Sequence, residues 1–243
     1  MSIGAIMTGS VYSSRLNMAI YRRTVPFAMF MAFIALEESL RYAMQQHWLD
    51  LPITALYYLY PIKTVAVAFL LYKYSPFYHE ICIQDLGQLW STVSVVLIGL
   101  FTFAIWVSAD WVVTLASPPS GFNPMLLPDG MVRVLMTAFR VAGAVLVVPI
   151  MEEVFWRSFL LRYLVNTDFE SIPIGSFTWS SFIISTILFG LEHHLIVAGM
   201  IAGVVYSLIV YKAKSIAQCI LAHAITNFAL ACFVLFTGKW HFW

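Results

Sequence analysis

The sequence predicts an all-α protein, a polytopic bundle of about seven or eight transmembrane helices. Three observations carry this. Hydrophobic residues fill 61% of the 243 positions and charged residues only 10%, where a soluble domain carries roughly a quarter charged. The mean hydropathy is +0.86. The apolar residues fall in runs of about 20, the length that crosses a hydrocarbon core as a helix, and turn-rich stretches separate the runs.

The first run begins near Val25, after the polar MTGSVYSSRLN and the pair Arg22 and Arg23. No small-residue cleavage site follows it, so it reads as a retained helix over 24–44. Further runs lie at 52–72 and 91–116. The fourth, 132–165, is too long for one simple crossing, and Pro149 in its middle is expected to kink or divide it. The fifth and sixth, 178–194 and 196–212, are short and nearly continuous, and a seventh covers 216–237. The connections at 73–88, 117–130 and 166–176 are each too short for a second domain, so residues 1–243 read as a single integral membrane domain.

Net charge is +1 with no basic tract, which removes the electrostatic basis for a nucleic-acid partner and leaves membrane lipids as the expected surroundings. Cys82, Cys219 and Cys232 show no CxxC spacing and imply neither a disulfide framework nor a thiolate metal site; they read as buried and inert. With the N-terminus inside, Arg15, Arg22, Arg23, Lys73, Arg162, Lys212 and Lys214 fall on the cytoplasmic side, against chiefly Arg133 and Lys239 opposite. Tyr42, Trp48, Trp90, Trp106, Trp111, Trp240 and Trp243 fit an interfacial aromatic belt. Glu37 and Arg41, four apart near the end of the first helix, are expected to pair.

Ionisable groups at membrane depth cost about 2.5–3.5 kcal/mol each on insertion scales, so they line cavities or pair. They concentrate in 132–237. In PIMEEVFWRSFLL, Glu153 precedes Arg157 by one helical turn and is expected to be neutralised by it. Glu152 points about 100° away and is left for chemistry. LFGLEHHLI supplies Glu192, His193 and His194; of the adjacent histidines, one is expected to face the cavity and the other a neighbour or the interface. LAHAITNF supplies His223 and Asn227 on one face. A carboxylate, two imidazoles and a carboxamide are the materials for activating a water and holding an oxyanion. Lys63 and Arg140 have no partner legible in the sequence; each reads either as a structural counter-ion or as a substrate contact.

At these residues the sequence resembles the CPBP family of intramembrane proteases, typified by the type II CAAX prenyl endopeptidase and including bacteriocin-immunity (ABI) proteins. The family pattern EExxxR, FxxxH, HxxxN stands here as Glu152-Glu153-Val154-Phe155-Trp156-Arg157, Phe189-Gly190-Leu191-Glu192-His193 and His223-Ala224-Ile225-Thr226-Asn227. The stretch PFAMFMAFIALEE is similar to a bacterial, exosortase-associated subgroup. The resemblance implies that Glu152 and His193 activate water, that His223 and Asn227 form the oxyanion site, and that Glu153 and Arg157 brace the first motif.

The reading is therefore an intramembrane endopeptidase, a glutamate protease of a bacterial inner membrane acting on a membrane-associated or lipid-modified protein, without a cofactor. The motif residues should lie about 10–22 Å from the cytoplasmic boundary, with access from that side. A zinc enzyme using Glu152, His193 and His223 is the alternative, although no HExxH pair is present. A non-catalytic immunity or scaffold protein and a proton-relay transporter are the other classes; no sequence duplication supports the transporter.

Overall fold

The computed structural model describes residues 3–109 and 121–243, with side chains from Arg15 onward. Among the described residues the chain is all-α, and its main helices are α1 (Ile3–Gln45), α2 (Thr54–Phe77), α3 (Leu89–Ser108), α4 (Met131–Tyr163), α5 (Trp179–Leu191), α6 (Ile196–Ala213) and α7 (Ile216–Thr237). All but α5 contain a stretch long and apolar enough to cross a membrane. At 13 residues, α5 rises only about 20 Å, short of a core about 30 Å thick. The predicted run 91–116 is helical to Ser108; residues 110–116, Trp111 among them, lie outside the described residues.

Pro149 neither divides nor breaks α4. The helix widens to a π-helical turn over Gly143–Val147 just before the proline and again over Val154–Leu160. Proline lacks an N–H, and its ring collides with the carbonyl four residues back in a regular α-helix; the wider turn relieves that collision. In the π register the Val148 N–H donates to Gly143 O, and the next bond would need an N–H at Pro149 to reach Ala144 O. Asn227 Nδ2 on α7 donates to Ala144 O instead, at 2.8 Å.

Packing is dominated by α3 against α7, α5 against α6 and α1 against α2. A β-carbon at Gly99 would come within 2.5 Å of Ala222 O, so only glycine admits this approach of α3 to α7. There Thr226 Oγ1 donates to Gly99 O at 2.9 Å. The α5–α6 hairpin is equally tight: a β-carbon on Gly199 would lie 3.1 Å from Gly190 Cα and 3.2 Å from His193 Cβ.

One end of the bundle gathers the predicted basic set. Arg23 binds Glu80 at 2.9 and 3.0 Å and Glu170 at 3.2 Å. Arg162 Nη1 donates to Ile172 O, and Lys214 Nζ donates to Gly175 O. Gln218 Nε2 donates to Asp85 O and Thr92 Oγ1. The other end holds Trp48, Phe122, Arg133 and Lys239, and large apolar side chains such as Tyr72, Leu97 and Phe236 face outward, as lipid contact requires.

Two local expectations are corrected here. Glu37 turns to Lys63 at 3.2 Å, and Arg41 pairs with Glu38 at 3.5 Å; the buried ammonium on α2 attracts Glu37 more than a half-buried partner on its own helix. Cys82 and Cys232 are exposed, and only Cys219 is buried.

Candidate active site

α4, the α5–α6 turn and α7 converge on a cavity of about 420 Å³. Glu152, His193, His194, His223 and Asn227 line it, together with Glu192. Glu153 and Arg157 form the predicted pair at 3.2 Å, both almost fully buried. Arg157 Nη2 also donates to Gly203 O at 3.2 Å, and its guanidinium lies 4.3 Å from the Phe189 ring centre. α6 thereby locks the arginine in place.

Glu153 does more than neutralise Arg157. His223 Nδ1 lies 2.8 Å from Glu153 Oε1, and Cys219 Sγ donates to Glu153 Oε2 at 3.1 Å. A carboxylate can only accept, so the Nδ1–H of His223 is the donor, and Nε2 is left pointing at Glu152 Oε2, 3.9 Å away. Tyr206 stacks on the His223 ring at 4.7 Å and fixes its plane. A buried carboxylate that orients an imidazole and supports its protonated form is the logic of a catalytic triad.

His193 Nδ1 lies 2.8 Å from Phe189 O. A carbonyl only accepts, so Nδ1 carries the proton and Nε2 keeps its lone pair. His194 lines the same cavity, which corrects the expectation that only one of the two would. Residues 192–194 form a turn after α5 ends, so the 100° step of a helix no longer separates neighbours. Glu192 is held by Trp156 Nε1, which donates to its Oε2 at 3.0 Å. Trp106 and Trp243, expected in the belt, are cavity wall.

Among the buried polar atoms of cavity-lining residues, Glu152 Oε2, Trp106 Nε1 and Arg140 Nε have no hydrogen-bond partner. Natural proteins rarely leave such groups unmet, so one acceptor and two donors stand ready for a ligand. Sequence reasoning missed Trp106 in this role, since a tryptophan near a helix end reads equally well as a belt residue.

Access departs from expectation. The helical rise places His223 about 10 Å and Glu152 about 16 Å from the basic end, within the predicted depth. Yet the cavity wall continues through Tyr60, Tyr57, Phe122 and Trp243 toward the opposite end and includes none of the basic-end arginines or lysines. Below Glu152 the interior is filled by Arg157, Ser158, Phe159 and Phe169, all buried.

Among the described residues no three His, Cys, Asp or Glu side chains converge closely enough to hold a metal. His193 and His223 each commit Nδ1 to a protein acceptor, which leaves Nε2 as the ring nitrogen that faces a water, an oxyanion or a metal.

Residues 134–229 match the family described as Rce1-like, type II CAAX prenyl endopeptidase Rce1-like. Over this stretch the chain is similar to that family. The matched segment holds all three motifs and stops short of PFAMFMAFIALEE. No curated protein and no solved structure matches the chain.

Proposed function

We propose that the protein is an intramembrane endopeptidase that hydrolyses a peptide bond of a membrane-associated or lipid-modified protein by a glutamate-activated water. The observation that carries this reading is the unpartnered Oε2 of Glu152, buried at a cavity wall beside the Nε2 of an imidazole that Glu153 orients. Glu152 accepts a proton from water as its oxygen bonds to the substrate carbonyl carbon. The lone pair on His193 Nε2 accepts the water's other hydrogen and so aims it. The resulting oxyanion takes hydrogen bonds from protonated His223 and from the second N–H of the Asn227 amide, the first being used on Ala144 O. As the C–N bond breaks, the proton held by Glu152 passes to the leaving amine. Prenylated CAAX tails are the substrate class that the family description suggests.

The experiment is cleavage of membrane-tethered and prenylated peptides by purified protein, comparing wild type with Glu152→Gln, each with and without a strong zinc chelator. Cleavage lost in the variant and kept with chelator is expected. Loss with chelator alone would move the chemistry to zinc. A folded protein indifferent to Glu152→Gln in its cellular role would be an immunity or scaffold protein.

The basic end is assigned to the cytoplasm of a bacterial inner membrane, with the N-terminus inside. The cavity mouth then faces away from the cytoplasm. Reporter fusions after Met1 and at the 45–53 connection test the orientation; a cytoplasmic signal from the 45–53 fusion would reverse it.

A further inference from the structure

The outer half of the cavity carries a set of cations that the hydrolytic reading leaves unused. Lys63, almost fully buried, is neutralised by Glu37 at 3.2 Å. Arg41 meets Glu38 at 3.5 Å. Arg140 has no carboxylate of the described residues within ion-pair distance. Its guanidinium instead lies 4.5 Å from the Tyr60 ring centre and 5.8 Å from that of Trp243, both cavity residues, and its Nε is buried without a partner. An arginine held against aromatic rings, with no carboxylate partner, has its guanidinium N–H groups available for a carboxylate, which that fork takes with two parallel bonds.

We infer that Arg140 is a specificity site for a carboxylate of the substrate. This rests on the peptidase reading for the position of the cut. From Arg140 to Glu152 the helix rises about 18 Å, which an extended peptide spans in about five residues at roughly 3.3 Å each. The carboxylate recognised therefore lies about five residues from the cleaved bond, as a chain terminus or as an aspartate or glutamate side chain.

The test uses the full chain in detergent with anchored peptides in matched pairs: free acid against amide at the C-terminus, and aspartate against asparagine moved along the sequence. Cleavage by wild type is measured beside equilibrium binding of the same peptides to Glu152→Gln. The acidic member of one pair is expected to bind about tenfold or more tightly than its neutral twin. Arg140→Gln should erase that difference, and Arg140→Lys should restore part of it. Which pair responds distinguishes a terminal carboxylate from a side chain. Equal binding within every pair, or a preference that survives Arg140→Gln, overturns the inference. So does a preference abolished by phosphatidylglycerol nanodiscs and untouched by phosphatidylcholine ones, which would give the site to a lipid headgroup. A preference in binding without any cleavage by wild type would uphold the anion site and remove the peptidase reading.

Discussion

Two buried polar clusters sit on the same helix, about two turns apart, and differ in one respect. At the basic end, Glu80 accepts from Arg23 and Ser158, Arg23 reaches Ala19 O and Phe77 O, and Arg162 reaches Ile172 O. Both oxygens of the buried Glu80 carboxylate are spoken for. One stretch up α4, Glu153, Arg157 and His223 are similarly tied, but Glu152 is left with an unpartnered oxygen in a cavity. Desolvating charge is costly unless it is paired, so the saturated cluster reads as an inter-helix clamp and the unsaturated one as a place kept open. The contrast separates structural from chemical charge better than burial does, for both clusters are buried.

The sharpest way to break the contrast is to neutralise each cluster and read activity and stability together. Glu152→Gln is expected to reduce cleavage by about 10²–10⁴-fold without lowering the thermal midpoint; a matching loss of stability would place Glu152 in the clamp class. Glu80→Gln should do the reverse, costing about 1–3 kcal/mol by leaving buried Arg23 with Glu170 as its remaining carboxylate, while the protein that remains folded keeps its kcat.

The clamp should also be visible in pH dependence. Burial pushes the Glu80 carboxyl up, but the hydrogen bond and charge of Arg23 outweigh it and hold the group below its ordinary value of 4.5. A carboxyl depressed by folding contributes stability that is present above the unfolded value and lost as pH falls through the folded one. Wild-type stability should thus decline below about pH 4.5, and urea or thermal melts of Glu80→Gln should lack that component.

Asn227 lies between the two classes, facing the cavity while donating to Ala144 O. Asn227→Ala should cost about 1–3 kcal/mol for the stranded carbonyl, and adding Pro149→Ala should recover part of it by supplying the missing N–H. Additive effects in that double-mutant cycle would refute the link between proline and asparagine. Cys219→Ala, removing a weak donor to Glu153, should be the smallest change, about 1 kcal/mol or less in a melt.

What was legible in the sequence follows from which contacts are local. The pairing of Glu153 with Arg157 could be read from one helical turn of spacing, and the apolar runs from their length. The hydrogen bond from His223 to Glu153, the capping of Ala144 by Asn227 and the turn of Glu37 toward Lys63 join different helices, and no periodicity encodes them. His193 and His194 misled because helical spacing was applied across the point where α5 ends. The direction of the cavity was hidden for a similar reason: depth along a helix can be counted from its ends, whereas the way out depends on which side chains fill the space around it.

The π-helical turn at Gly143–Val147 has one more consequence. It amounts to a helix carrying one residue more than its α-register has room for. Deleting a residue there would give a more regular α4, with improved backbone geometry by circular dichroism, yet it would swing the segment on one side by about 100° relative to the other. Arg140 and Glu152 could then no longer share a cavity. The irregularity works as a phase setting between the part of the helix that would recognise a substrate and the part that would cut it.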